Sequence, residues 1–299
     1  MNREEFRKYT ENEIIILDGA TGSFFVAAGM PQRVCVEEWI LEHPQLLEQL
    51  QKDYIQAGSN IIYAPTFGAN RIRLASLNKE GDIKRLNSEP VKLSKSIAGK
   101  GALVAADISM TGMFLDPDDE IGFDKLVDVY TEQAQITAEA GADLFIVETM
   151  LSLKDTVAAV KGIRKAAPDL ACMTTLTFEK NGRTIYGDKP EDVARVLYEE
   201  GADAVGANCS TGPADMLPII EKMVESVKIP VIAKPNAGLP QPGPNGTVKY
   251  DLSEDGFAVD MVKMLEAGAN ILGGCCGTTP EYIRMLASFT HQMMFRSRE

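Results

Sequence analysis

Four times along this chain a helix-forming stretch runs into Ala-Gly or Glu-Gly and then into a short apolar run. No other feature limits the fold as strongly. The copies are AGSNIIYAPT from Ala57, AGADLFIVET from Ala140, EGADAVGANC from Glu200 and AGANILGGCC from Ala267. A glycine just past a helix suits a left-handed C-terminal cap, where a Cβ would clash. The apolar residues that follow suit a parallel strand covered on both faces. The glycines stand at 58, 141, 201 and 268, so the copies lie 83, 60 and 67 residues apart. Each interval has room for about two strand–helix units.

A second set of apolar runs fills the intervals: IIIL at 14–17, ALVAAD at 102–107, LACMTTLT at 170–177 and PVIAKP at 230–235. Helical stretches separate them, such as FDKLVDVYTEQAQITAEA from Phe123 and EDVARVLYEE from Glu191. Strands alternating with helices mean a parallel α/β sheet. Eight such units in 299 residues fit a (β/α)8 TIM barrel, read as a single domain over 1–299. An open doubly wound sheet fits less well, since no GxGxxG opens a helix after the first strand. The segment GLPQPGPNG, from Gly238, reads as a long loop after the seventh strand, on the face where such barrels carry their sites.

Composition narrows the partners. With 45% hydrophobic residues the chain can build a sizeable core, and a formal net charge of −13 argues against nucleic acid and anionic membranes. The opening MNREEFRKYTENE lacks an apolar signal region, and no run approaches a membrane span. The expectation is a cytoplasmic location, where the five cysteines stay reduced and clusters of them point to metal or catalysis.

The strand ends carry the chemistry. Strand one ends in Asp18, strand three at Asp107, strand four at Glu148, strand six in Asn208-Cys209, strand seven in Pro235-Asn236, and strand eight in Cys275-Cys276. Three thiols suit a catalytic zinc, which keeps one coordination position open. Adjacent cysteines reach one ion where Gly274 and Gly277 let the loop turn sharply. The plainer alternative is that Cys209 packs as a small core residue and the Cys-Cys pair is incidental. Cys172 sits inside an apolar run and reads as core, while Cys35 has no assignable role. His43 and His291 fall on expected helices, away from these loops, which argues against a Ser–His–Asp mechanism. Asp18 and Glu148 suit an acid–base pair, a grip on an ammonium group, or simple capping. Backbone amides of DGATG, at Gly19 and Ala20, suit a carboxylate. Ammonium, carboxylate and a metal-bound sulfur together describe an amino-acid thiol.

The segments DGATG, PTFGAN, GANCSTGP, KPNAGLP and GGCCGTTP, in this order along essentially the whole chain, resemble the zinc-dependent homocysteine S-methyltransferases. Their form is nearest to the homocysteine-binding module of cobalamin-dependent methionine synthase. The resemblance implies a (β/α)8 barrel that binds Zn2+ through Cys209, Cys275 and Cys276. It implies homocysteine held by Asp18, Glu148 and the Gly19 and Ala20 amides, with Asn236 close to the metal. Methionine would form with a methyl group from a corrinoid (cobalamin) supplied by a separate protein, since 299 residues leave no room for folate and cobalamin modules. Other branches of the family use S-methylmethionine or betaine directly, and S-adenosylmethionine is a further candidate donor. A non-catalytic zinc-binding interaction module would want a fourth cysteine or histidine, which the motifs lack. Pro65 replaces an asparagine common in the cobalamin-using branch, and with Tyr63 and Phe67 it bears on the pocket wall.

Overall fold

In a computed structural model, described over residues 1–112, 120–242 and 248–296, all four repeat glycines adopt left-handed backbone. Their φ angles are 108° at Gly58, 101° at Gly141, 98° at Gly201 and 104° at Gly268. The amide after each glycine reaches five residues back: Ser59 to Tyr54, Ala142 to Thr137, Ala202 to Leu197 and Ala269 to Met264. This is the Schellman closure, and it turns α4 (Pro44–Ala57), α7 (Glu120–Glu139), α9 (Pro190–Glu199) and α11 (Glu254–Glu266) toward the next strand. The strands that follow are β2 (Ile61–Ala64), β4 (Leu144–Met150), β6 (Ala204–Asn208) and β10 (Ile271–Leu272). The intervening set is β1 (Ile15–Ile16), β3 (Leu103–Ile108), β5 (Cys172–Leu176) and β7 (Val231–Lys234).

The eight strands pair in parallel in the order β1-β10-β7-β6-β5-β4-β3-β2. A bridge from Leu17 to Ile61 joins the two ends. The result is a nearly closed barrel ringed by helices, the expected (β/α)8 architecture.

Side chains alternate between two faces. Val104, Ala106, Phe145 and Val147 face outward into the cluster shared with the helices. Ala105, Ile146, Met173, Ala204 and Ile232 belong to a separate inner cluster. Two residues further along each strand, the inner face turns polar: Asp107, Glu148, Thr175 and Lys234, with Asn208 two steps beyond Ala204 through Gly206. All five are buried. Apolar layers thus fill the barrel bottom and polar groups crown its C-terminal end.

Two elements differ from expectation. Helix α1 (Arg3–Asn12) opens with a capping box between Asn2 and Glu5, and its wholly buried Phe6 plugs the inner cluster from below. The segment from Gly238 is partly a hairpin, β8 (Pro240–Pro242) against β9 (Val248–Tyr250), and its residues 243–247 lie outside the described residues. Prolines are tolerated on such an edge because it has no further strand to donate to. No helix among the described residues is long and apolar enough to cross a membrane.

Candidate active site

Cys209 ends β6 and Cys275 and Cys276 follow β10, with β7 between them. The end of β7 gathers both: the Cys209 amide donates to the Lys234 carbonyl at 3.2 Å and the Cys275 amide to the Pro235 carbonyl at 2.7 Å. The three sulfurs consequently lie within 4.8 Å of one another, with Cys209 Sγ 3.8 Å from Cys276 Sγ. Zinc–thiolate bonds of about 2.3 Å in a tetrahedron place sulfurs about 3.8 Å apart. The donor set therefore suits one soft tetrahedral ion with a fourth position left over.

Backbone strain is concentrated here. Thr149, Cys209 and Ser210 hold φ of 58°, 63° and 57°, in the left-handed region that costs a non-glycine residue about 1–3 kcal/mol. Asn208 secures this arrangement. Its Oδ1 accepts from the Thr149 amide at 2.9 Å, and its Nδ2 donates to Thr149 Oγ1 at 2.8 Å and toward Cys275 Sγ at 3.8 Å. Gly277, with φ of 82°, is required on the far side, since a Cβ there would sit 2.1 Å from the Tyr250 ring.

Crowding controls the thiols. A hydrogen bond with Cys275 favours the Cys209 thiolate, but contact with Cys276 and burial outweigh it and push Cys209 up to about 11. The bond with Cys209 and burial raise Cys275 as well. Three ionised thiols at this spacing need a cation among them.

Beside the thiols lies a buried charge cluster. Lys234 Nζ stands 3.4 Å from Asp18 Oδ1, 3.6 Å from Glu148 Oε2 and 4.4 Å from the centre of the Tyr63 ring. Burial opposes its charge, but Glu148 and Asp18 more than offset that and hold its ammonium well above the usual lysine range. Asp18 Oδ2 accepts from the Tyr63 amide at 2.8 Å. Burial outweighs Lys234 and that bond, raising the Asp18 carboxyl to about 6. Burial, then repulsion from Glu148, raises Asp107 well above the carboxylate range. Asp18 Oδ1, Asp107 Oδ1 and Glu148 Oε2 are buried without a hydrogen-bond partner.

A cavity of about 650 Å³ opens over both groups, within the usual span of small-molecule sites. Its inner wall carries Asp107, Glu148, Lys234 and the three cysteines, with Gly19 and Ala20 at the side. Met30, Phe67, Leu77, Arg33 and Arg73 also line it, together with Tyr63 and Pro65.

Of the residues singled out from sequence, Gly19, Ala20, Glu148 and the three cysteines meet around this cavity. The Ala20 amide donates to Thr278 Oγ1 at 3.2 Å. Asp18 stands behind the wall, turned to Tyr63 and Lys234. Asn236 is also behind it, with Oδ1 unpartnered, on a loop tied to the cysteines by the Ala237 amide and the Cys276 carbonyl, 3.0 Å apart. Cys172 is core, and Cys35 is buried at the start of α3 (Val36–Glu42). Lys234, Asp107 and Asn208 had no assigned role. Their trace in the sequence is a charged or amide side chain closing an otherwise apolar strand.

A family model described as homocysteine S-methyltransferase matches residues 15–290. Methionine synthase from Mycobacterium leprae is 30% identical over 257 residues, covering 82% of this chain and 21% of that protein. Methionine synthase from Mycobacterium tuberculosis is 29% identical over 292 residues, covering 92% and 24%. The chain thus spans about a fifth to a quarter of the length of the curated relatives it matches. Among solved structures, the metallated form of the homocysteine methyltransferase MmuM from Escherichia coli superposes with a TM-score of 0.77 at 22% identity, covering 92% of this chain and 96% of that one. The carboxyl transferase domain of Rhizobium etli pyruvate carboxylase superposes at 0.55 and 14%, covering 98% and 50%. At these identities the structural likeness is one of fold.

Proposed function

This chain belongs to the homocysteine S-methyltransferase family, and on that footing we propose that it methylates the thiol of homocysteine to give methionine, with one zinc ion held by Cys209, Cys275 and Cys276. The observation that carries the reading is the meeting of three thiols within 4.8 Å of one another with buried carboxyl oxygens in one cavity.

Bound zinc supplies the Lewis acidity that keeps a substrate thiol ionised near neutral pH, where a free thiol is mostly protonated. The chain's own residues hold the rest of the substrate. Glu148 takes its ammonium with Asp18 behind it, while Lys234 keeps their surroundings from accumulating uncompensated negative charge. The Gly19 and Ala20 amides take its carboxylate, with the Ala20 N–H leaving Thr278 Oγ1 to do so. Asn236, whose buried Oδ1 has no hydrogen-bond partner and whose loop is tied to the cysteines, would lie close to the metal. The homocysteine sulfur then forms a bond to the donor methyl carbon, and the donor departs with the electron pair of the broken bond. No side chain has to accept a proton in that step.

The donor we assign is a methylcorrinoid carried outside this barrel. The KPNAGLP and GGCCGTTP forms support it, as do methionine synthases among the relatives.

X-ray absorption of the zinc-loaded protein tests the core of the proposal. One zinc per chain is expected, with three sulfurs around it rising to four when homocysteine is added. An unchanged sulfur count defeats the catalytic reading. A methyl-transfer assay with methylcobalamin, a methylated corrinoid protein, S-methylmethionine, S-adenosylmethionine and betaine tests the donor. Turnover confined to the last three removes the corrinoid.

A further inference from the structure

We propose that Asp107 is a substrate-binding residue, whose carboxyl joins Glu148 in gripping the ammonium group and so makes an amino group a requirement for the acceptor. The proposal rests on the reading above that the acceptor is an amino-acid thiol.

Strand geometry places the two carboxyls together. Asp107 pairs with Ile146 across β3 and β4, and Glu148 lies two residues beyond Ile146 on the same face. Both line the cavity. The Asp107 backbone is clamped by Thr66, whose Oγ1 accepts from its amide at 3.1 Å and donates to its carbonyl at 2.7 Å. The side chain is therefore aimed from a fixed strand end, only 6% exposed, and its Oδ1 has no hydrogen-bond partner. Glu148 Oε2 is in the same condition.

Charge balance supports a cation at this point. The groups facing Asp107 are Glu148 from β4, Lys234 from β7, Asp18 just past β1, Tyr63 from β2 and Glu37 from α3. Lys234 approaches Asp18 and Glu148, but Asp107 has no ion pair among the described residues. Glu37 Oε1 accepts from the Gly68 amide at 2.7 Å, which leaves Asp18, Glu148 and Asp107 with one lysine among them. Burial, then Glu148, raises the Asp107 carboxyl well above the usual carboxylate range, so its charged form needs a cation beside it. A neutral, unpartnered buried carboxyl adds nothing to the stability of the fold. An ammonium ion, with three donors, satisfies the open oxygens and corrects the imbalance. Asp18, already turned to the Tyr63 amide and Lys234, is the less exposed of the two aspartates to the cavity.

Calorimetric titration of the zinc-loaded protein with L-homocysteine and with 4-sulfanylbutanoate, which lacks only the amino group, tests this. The wild type should bind homocysteine more tightly. Asp107→Asn and Asp107→Ala should each weaken homocysteine binding about tenfold or more, the loss of a charge-assisted bond. Both should leave 4-sulfanylbutanoate binding, zinc content and thermal unfolding unchanged, and should raise KM while sparing kcat. Equal weakening of both ligands, or of neither, overturns the proposal. Asp107→Asn keeps the side-chain volume and decides the matter if the alanine variant does not fold. A wild type that binds neither thiol contradicts the amino-acid thiol reading itself, a result distinct from a failure at Asp107.

Discussion

Asn208 is wholly buried, and its amide reaches three places on two other strand ends. It holds Thr149 in left-handed backbone beside Glu148 and directs a donor at Cys275 Sγ. Such outer partners orient metal ligands and are worth about 10–100-fold in affinity. Asn208→Ala should therefore weaken zinc binding by about that factor, read by competition with a chromophoric chelator, while far-UV circular dichroism stays unchanged. Asn208→Asp, which turns an acceptor toward the thiolate, should be worse than alanine. Equal zinc affinity in all three proteins would leave Asn208 a spacer. The meeting of the cysteines and Glu148 around one cavity was readable from sequence because strand-end position and the family resemblance both single them out. Asn208, Lys234 and Asp107 were not, because their roles depend on which strands face each other across the barrel. The sequence marks them only as a charged or amide side chain closing an apolar run, as the lysine does in PVIAKP.

Among the elements, α7 and α8 (Leu153–Ala166) are locked by Tyr130 Oη, which donates to Asp155 Oδ1 at 2.8 Å. Burial outweighs that bond and raises the Asp155 carboxyl to about 6. A carboxyl that binds its proton more tightly folded than unfolded stabilises the fold below about pH 4, and that contribution disappears as pH rises through 6. The change amounts to about 3 kcal/mol. Asp155→Asn should flatten this part of the pH dependence, compared by urea midpoints at pH 4.5 and 7.5. A variant as pH-sensitive as the wild type would exonerate Asp155. The strand–helix alternation was legible because the glycine cap recurs before every second strand, a local signal that needs no long-range information. The hairpin was hidden because prolines in PQP look like loop residues wherever the pairing partner is unknown. Helix α1 was hidden because it is polar except for the few residues, chiefly Phe6, that meet the barrel.

At the scale of the whole molecule, the barrel is unevenly stitched. β4 has seven residues and β1 has two. The β1–β2 seam relies on the Leu17–Ile61 bridge and on Asn60, whose amide donates to the Ile16 carbonyl and whose Oδ1 accepts the Ile16 amide, both at 2.7 Å. Sparse hydrogen bonding of this kind marks the first region to open. Hydrogen exchange should be faster in peptides covering 14–18 and 57–64 than in 103–108 or 144–150. If the three thiols hold zinc as proposed, loading should slow it most around β10, whose loop the ion would tie to β6. Uniform exchange around the barrel would contradict this picture.

Cys209 and Cys276, 3.8 Å apart across β7, also make an oxidant's target. A disulfide needs the sulfurs at about 2.05 Å, a short closing motion for side chains already facing each other. Oxidation of the metal-free protein would consume two of the three donors in one event and staple the end of β6 to the loop after β10. A metal ion held by the three thiols, as proposed above, would shield the same two sulfurs from that oxidation.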